Sequence, residues 1–139
     1  MSKISVFSDA QEFLNLDYPC SIVFHNKPYP SLWHAMIAGM TLDEYVQNLL
    51  SDDKFIMNQE NISKLWREPR DFRDYKMNVV DMVASKYAAP DMLNQLIQYT
   101  SDNDEFIYAA DPSGVVGSAT AMLRKGRSVG EILQALNLQ

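Results

Sequence analysis

Asp71-Phe72-Arg73-Asp74-Tyr75-Lys76-Met77-Asn78-Val79-Val80-Asp81-Met82-Val83-Ala84-Ser85-Lys86-Tyr87 is the stretch on which the fold turns. Phe72, Tyr75, Val79, Met82, Val83 and Tyr87 recur along it at helical period, and Asp71 stands where a carboxylate caps a first turn. Downstream, Pro90 suits the first turn of another helix, one that carries Met92, Leu93, Leu96 and Ile97 inward. Upstream, Thr41 and Glu44 have capping-box spacing ahead of an apolar stripe of Leu42, Tyr45, Val46, Leu49 and Leu50. Ser128 and Glu131 repeat that spacing before a last helix bearing Val129, Ile132, Leu133 and Leu136. Strands are expected at Lys3 to Phe7, at Ser21 to His25, and at Glu105 to Ala109. Asn26-Lys27-Pro28 fits a turn after the second, because proline fixes φ and cannot donate in a ladder. These elements predict an α+β fold: one helix-rich domain over residues 1–139 with a small β-sheet.

Composition narrows the function classes. The chain has 139 residues, enough for one sizeable core, and a net charge of -6. That charge argues against binding nucleic acid, which depends on Lys and Arg neutralising phosphates. Lys64, Arg67, Arg70 and Arg73 form a local cluster, but they alternate with Glu68, Asp71 and Asp74, the pattern of a solvated, salt-bridged face. Cys20 is the single cysteine. It has no disulfide partner, reads as a small apolar filler, and belongs to no Cys/His cluster with metal-ligand spacing. No apolar run reaches the length of a membrane span, and the first residues lack the pattern of a signal peptide. The expectation is a cytoplasmic protein without metal or cofactor and without membrane contact.

A second set of landmarks runs through the chain in order: Phe13-Leu14-Asn15-Leu16, the Lys27-Pro28-Tyr29-Pro30 turn, Ser31-Leu32-Trp33-His34-Ala35, Lys86-Tyr87, Leu96 to Asp102, Asp111 to Gly117, and Arg127-Ser128-Val129-Gly130. In this order they resemble the motifs of the NADAR family, best known for the YbiA-like N-glycosidases. Thr41 to Glu68 aligns poorly. The resemblance implies a NADAR-like α+β domain. It further implies cleavage of a ribose N-glycosidic bond in a riboflavin-pathway intermediate or an ADP-ribose-type group. By position it implies Asp111 as catalytic residue and Asn15, Trp33, His34, Lys86 and Gly117 as ligand-binding residues. Small divergent relatives are common in phage genomes, which points to a viral accessory protein.

The departures from the family pattern weigh against that reaction. The helical Glu of the family is Trp33 here, the Gln and Lys one turn later fall on Ile37, Gly39 and Met40, a strand Glu is Tyr108, and the Trp before Gly117 is Val116. An oxocarbenium-like transition state needs carboxylates to stabilise its charge and to orient water. Losing general acid/base groups costs roughly a hundred- to ten-thousand-fold in rate. The resemblance and its losses together imply a non-catalytic module, a degenerate NADAR-like domain that binds a nucleotide or ADP-ribose-like ligand or a protein partner. The alternative is an active N-glycosidase built on Asp111 with Asp102 or Glu105. A third reading is an interaction surface of Met36, Met40 and Met57, since methionine adapts to irregular partners.

Single residues also admit local readings. Asp111 opens Asp-Pro-Ser-Gly, a good β-turn sequence without any chemistry. Trp33 is either a stacking wall for a base or a core residue beside Met36 and Ile37. His34 suits a helix start satisfied by backbone, and Lys86 suits a helix C-terminus favoured by the dipole.

Overall fold

Asp71 does start the long helix. In the computed structural model, which describes residues 2–41, 43–52, 54–55 and 58–138, its carboxylate accepts the Asp74 amide at 3.1 Å. The helix, α4, runs over Phe72–Ala88. Helices α1 (Leu32–Ala38), α5 (Pro90–Tyr99), α6 (Val116–Arg124) and α7 (Val129–Ala135) all pack against it. Helix α2 (Glu44–Ser51) lies on α1, and α3 (Gln59–Leu65) begins at an Asn58 cap whose side chain accepts the Asn61 amide at 2.8 Å. A 3-10 segment, Asp9–Leu14, packs on α5. The Ser128–Glu131 capping box forms as the spacing predicts, and Pro90 occupies the first turn of α5.

Among the described residues the strands are short and fall into two separate pairs rather than one sheet. Strand β1 (Ser2–Ile4) runs parallel to β4 (Asp104–Phe106), with Ile4 opposite Phe106. Strand β2 (Ile22–Phe24) runs antiparallel to β3 (Lys27–Tyr29), with Phe24 opposite Lys27. The hairpin turn is therefore His25-Asn26 and not Asn26-Lys27-Pro28. Both turn residues take left-handed φ, 51° and 64°, as a two-residue turn matched to strand twist requires. Pro28 sits inside β3, opposite Val23, where its missing N–H is tolerated at an edge.

The apolar stripes are right in period and wrong at their margins. Tyr75, Val79, Met82, Val83 and Tyr87 are buried on α4, but Phe72 is exposed, with the Lys76 ammonium over its ring. Ile97 on α5 and Tyr45 on α2 are exposed as well. Helix α2 is capped by Asp43, which accepts the Tyr45 amide, while the Thr41 hydroxyl accepts the Asp43 amide. The Thr41–Glu44 capping box does not form. Leu42 and Met57 lie outside the described residues. Met36 and Met40 are buried in the core that runs from Phe13 to Leu138, so they present no adaptable surface. In the basic cluster Lys64 pairs with Glu60 at 3.1 Å, whereas Arg67 donates to the Lys64 and Trp66 carbonyls and Arg73 to the Asn137 carbonyl. Among the described residues no helix is long and apolar enough to cross a membrane.

Candidate functional site

A cleft of about 860 Å³ opens where five distant segments meet: Ser5 and Phe7, Asn15 to Asp17, Trp33 of α1, Ile62 to Trp66 at the end of α3, and Ile107 to Ala110. Each wall has a local cause. Asn15 follows the 3-10 segment, and its side-chain amide donates to the Phe7 carbonyl at 3.0 Å, which ties the strand exit to the floor. The Leu16 carbonyl accepts the Trp33 amide at 2.8 Å and sets the start of α1 beside that floor. Tyr108 donates its hydroxyl to the Leu14 carbonyl at 2.6 Å, and its ring lies 4.8 Å from that of Phe7. Burial holds the Tyr108 phenol well above its ordinary range, so it is a neutral donor.

The two indoles give the cleft its character. Trp33 is 9 % exposed and Trp66 39 %; their ring centroids are 6.3 Å apart with planes at 67°. Trp33 thus belongs to the core and to the cleft wall at once. Trp66 ends α3, where its amide closes the helix on the Ile62 carbonyl. Asp17 is exposed and contributes the cleft's only carboxylate among the described lining residues; none of these is a Lys or Arg.

Of the residues nominated from sequence, Asn15 and Trp33 line this cleft. The other four lie elsewhere, and each has a structural task. Asp111 accepts the Ser113 amide at 2.8 Å, the Ser113 hydroxyl at 2.6 Å and the Val116 amide at 3.0 Å. Its carboxylate thereby closes the Asp-Pro-Ser-Gly turn, with Gly114 at φ 74°, and satisfies the first amide of α6. Gly117, one residue into α6, lies directly against β4 at Phe106. His34 is buried and receives the Ser31 hydroxyl at 2.5 Å on Nδ1, with Nε2 toward the Phe55 carbonyl at 3.5 Å. The Phe55 carbonyl can only accept, so Nε2–H, with Nδ1 accepting from the Ser31 hydroxyl, is the neutral tautomer that satisfies both ends. Burial lowers the His34 pKa; the Phe55 carbonyl and Asp17 pull the other way without reversing it.

Lys86 is 1 % exposed, and its ammonium reaches the Asn15 carbonyl at 3.2 Å, directly behind the cleft floor. Burial pushes its pKa down to about 8, against the opposing pull of Cys20 and Asp17. Cys20 beside it has its thiol pushed up by burial, an effect Lys86 partly offsets. The neighbouring Tyr87 hydroxyl is buried without a partner among the described residues, and burial raises its pKa far enough to keep it protonated. Asp102 is held by Arg124 at 2.5 Å, and Glu105 is an exposed residue of β4, so neither carboxylate faces the cleft. Among the described residues no group of three or more His, Cys, Asp or Glu side chains is placed to hold a metal.

Removing the Asp111 carboxylate leaves two main-chain amides and a hydroxyl without their acceptor. Asp111→Ala is expected to lower unfolding stability by about 2 kcal/mol in a urea titration. Ligand binding at the cleft should be unchanged, since Asp111 is not part of its wall.

Sequence reasoning missed Asp17, Trp66 and Tyr108 as cleft residues, although Tyr108 had been marked as standing where a carboxylate is expected. The signal that existed was the pairing of two tryptophans in the chain, Trp33 and Trp66, but nothing in their spacing says that they meet. No protein-family model matches the chain, and comparison with curated proteins and with solved structures gives no match.

Proposed function

We propose that this protein is a non-catalytic binding module, a divergent NADAR-like domain whose cleft at Trp33 and Trp66 takes the base and ribose of a nucleoside-type ligand. The observation that carries the reading is the pair of indoles over a polar floor. Trp66 is exposed enough to offer an open ring face, and Asn15 and Asp17 stand beside it as hydrogen-bonding groups for ribose hydroxyls. Base–aromatic stacking is worth ~1–3 kcal/mol per base and tolerates any base, because every base has a π-face. The phosphates of ADP-ribose find no Lys or Arg on the described cleft wall, which favours the nucleoside portion over the diphosphate as the recognised part.

The lack of turnover follows from the same residues. One exposed carboxylate, Asp17, stands where N-glycoside hydrolysis uses an acid and a base at separate positions. Hydrolysis remains as a second reading on that single observation. It requires release of free base from a nucleoside and loss of that release in Asp17→Asn.

Calorimetric titration with adenosine tests binding. The wild type should bind, and Trp66→Ala should weaken the affinity by roughly tenfold or more, as expected for one lost stacking face. Equal affinity in the two proteins, or no heat at millimolar adenosine, would overturn the reading.

A further inference from the structure

We infer that the cleft favours a nucleoside whose base carries a positive charge over its neutral counterpart. The inference rests on the nucleoside-binding reading and adds the charge of the ligand to it. Two features of the wall point the same way, and one charge behind it opposes them. Asp17 is its only carboxylate among the described lining residues, and no Lys or Arg among them opposes it. The Lys86 ammonium behind the floor acts against them; it is buried, donates to the Asn15 carbonyl and is already drawn on by the Asp17 charge. Four aromatic side chains, Phe7, Trp33, Trp66 and Tyr108, line it beside Leu16, Ile62, Ile107 and two alanines. Indole offers the most negative ring face of any side chain, and a cation above it gains electrostatic attraction that a neutral ring does not.

Geometry decides how such a ligand sits. The Trp33 and Trp66 planes stand 67° apart, so a flat base can lie on only one of them, and Trp66 is the more exposed. A base on Trp66 has the carboxylate of Asp17 in the same cleft. The positive charge then meets a π-face and a counter-ion together, within a protein whose net charge of -6 already favours cationic ligands over phosphates. Tyr108 adds no competing charge, because its hydroxyl is engaged with the Leu14 carbonyl and is neutral.

The test compares 1-methyladenosine, cationic at pH 7, with N6-methyladenosine, a neutral isomer of the same size, in calorimetric or NMR titrations at pH 7. The wild type is expected to bind the cationic isomer about tenfold more tightly. In Asp17→Asn the ratio of the two affinities should fall to within roughly twofold, with any loss of a ribose hydrogen bond shared equally by both isomers. Asp17 is exposed, so the variant is expected to fold, and its thermal unfolding checks this directly. Equal affinities for the two isomers in the wild type, or a preference that survives in Asp17→Asn, would overturn the inference and leave nucleoside binding standing. Failure of both isomers to bind would overturn the inference and the binding reading together.

Discussion

Gly117→Ala should leave the protein largely unfolded or reduce its stability by more than ~3 kcal/mol, the largest effect expected of any single methyl group in this chain. A Cβ built at Gly117 would stand 2.0 Å from the Phe106 carbonyl oxygen and 3.1 Å from its carbon. Both are backbone atoms of β4, so no side-chain rotation relieves the clash. Helix α6 would have to leave the strand, and with it the turn that Asp111 closes. Overpacking typically costs ~1–3 kcal/mol even where side chains can move. Gly130→Ala is the control: a Cβ there would meet only the Ser128 hydroxyl at 3.9 Å, in the first turn of α7. It is expected to be neutral or to stabilise by up to about 1 kcal/mol, because alanine is the better helix former. Urea unfolding of the two variants reads the contrast. Similar midpoints would mean that α6 does not pack on β4 at Gly117.

The second large effect is a dependence of stability on pH that traces to Lys86. Its ammonium ionises near 10.5 in an unfolded chain and at about 8 in the folded one, because burial disfavours the charged form. The folded state therefore gives up this proton first. Between about pH 8 and 10.5 the unfolded state binds more protons, so the Lys86 contribution makes stability rise with pH across that window. The gap corresponds to roughly 3 kcal/mol when fully expressed. Cys20, Tyr75, Tyr87 and Tyr108 act in the opposite sense, since burial raises their pKa values and the folded state keeps its protons while the unfolded state loses them. The lysine term is isolated by comparing Cys20→Ala with Cys20→Ala/Lys86→Met. At pH 7 the two should lie close together, since methionine removes a buried charge but leaves the Asn15 carbonyl without its donor. By pH 10 the protein that keeps Lys86 should lead by ~2–3 kcal/mol. A difference that stays flat with pH would place the ammonium in water rather than behind the cleft floor.

Legibility from sequence followed the range of the interaction. Most signals that span one helical turn read correctly, since the Asp71 cap, Pro90 in a first turn and the Ser128–Glu131 box all form as their spacing predicts, but the Thr41–Glu44 box does not, because Asp43 takes the cap position instead. Periodicity located the apolar faces but not their edges, where Phe72, Ile97 and Tyr45 are exposed. The hairpin turn was displaced by one residue because His25 and Asn26 take left-handed backbone that neither side chain advertises as glycine would. Parallel pairing of β1 with β4 joins opposite ends of the chain, and local pattern carries no information about it. Lys86 illustrates the same limit. A lysine in the last turn of a helix usually reaches solvent, whereas Lys86 is buried and its ammonium meets the Asn15 carbonyl from the first part of the chain.

The cleft was the least legible feature, because five segments contribute to it and, of its lining residues, sequence nominates only Asn15 and Trp33 for binding. Asp111 stood out in the sequence for its neighbours Pro112, Ser113 and Gly114, and those neighbours are what its carboxylate serves. A turn and a catalytic carboxylate look alike in one dimension. In the structure three donors engage the Asp111 oxygens and hold them in the turn.

The most direct test of the central claim is a 15N-detected titration of the protein with adenosine, following backbone amides and both indole N–H groups. The account predicts saturable shifts confined to residues 15–17, 62–66 and 107–110 and to the Trp33 and Trp66 indoles. Shifts centred instead on residues 39–43 and 67–78, where a second cleft lies beside Arg67 and Arg70, or no saturable shifts at all, would contradict it.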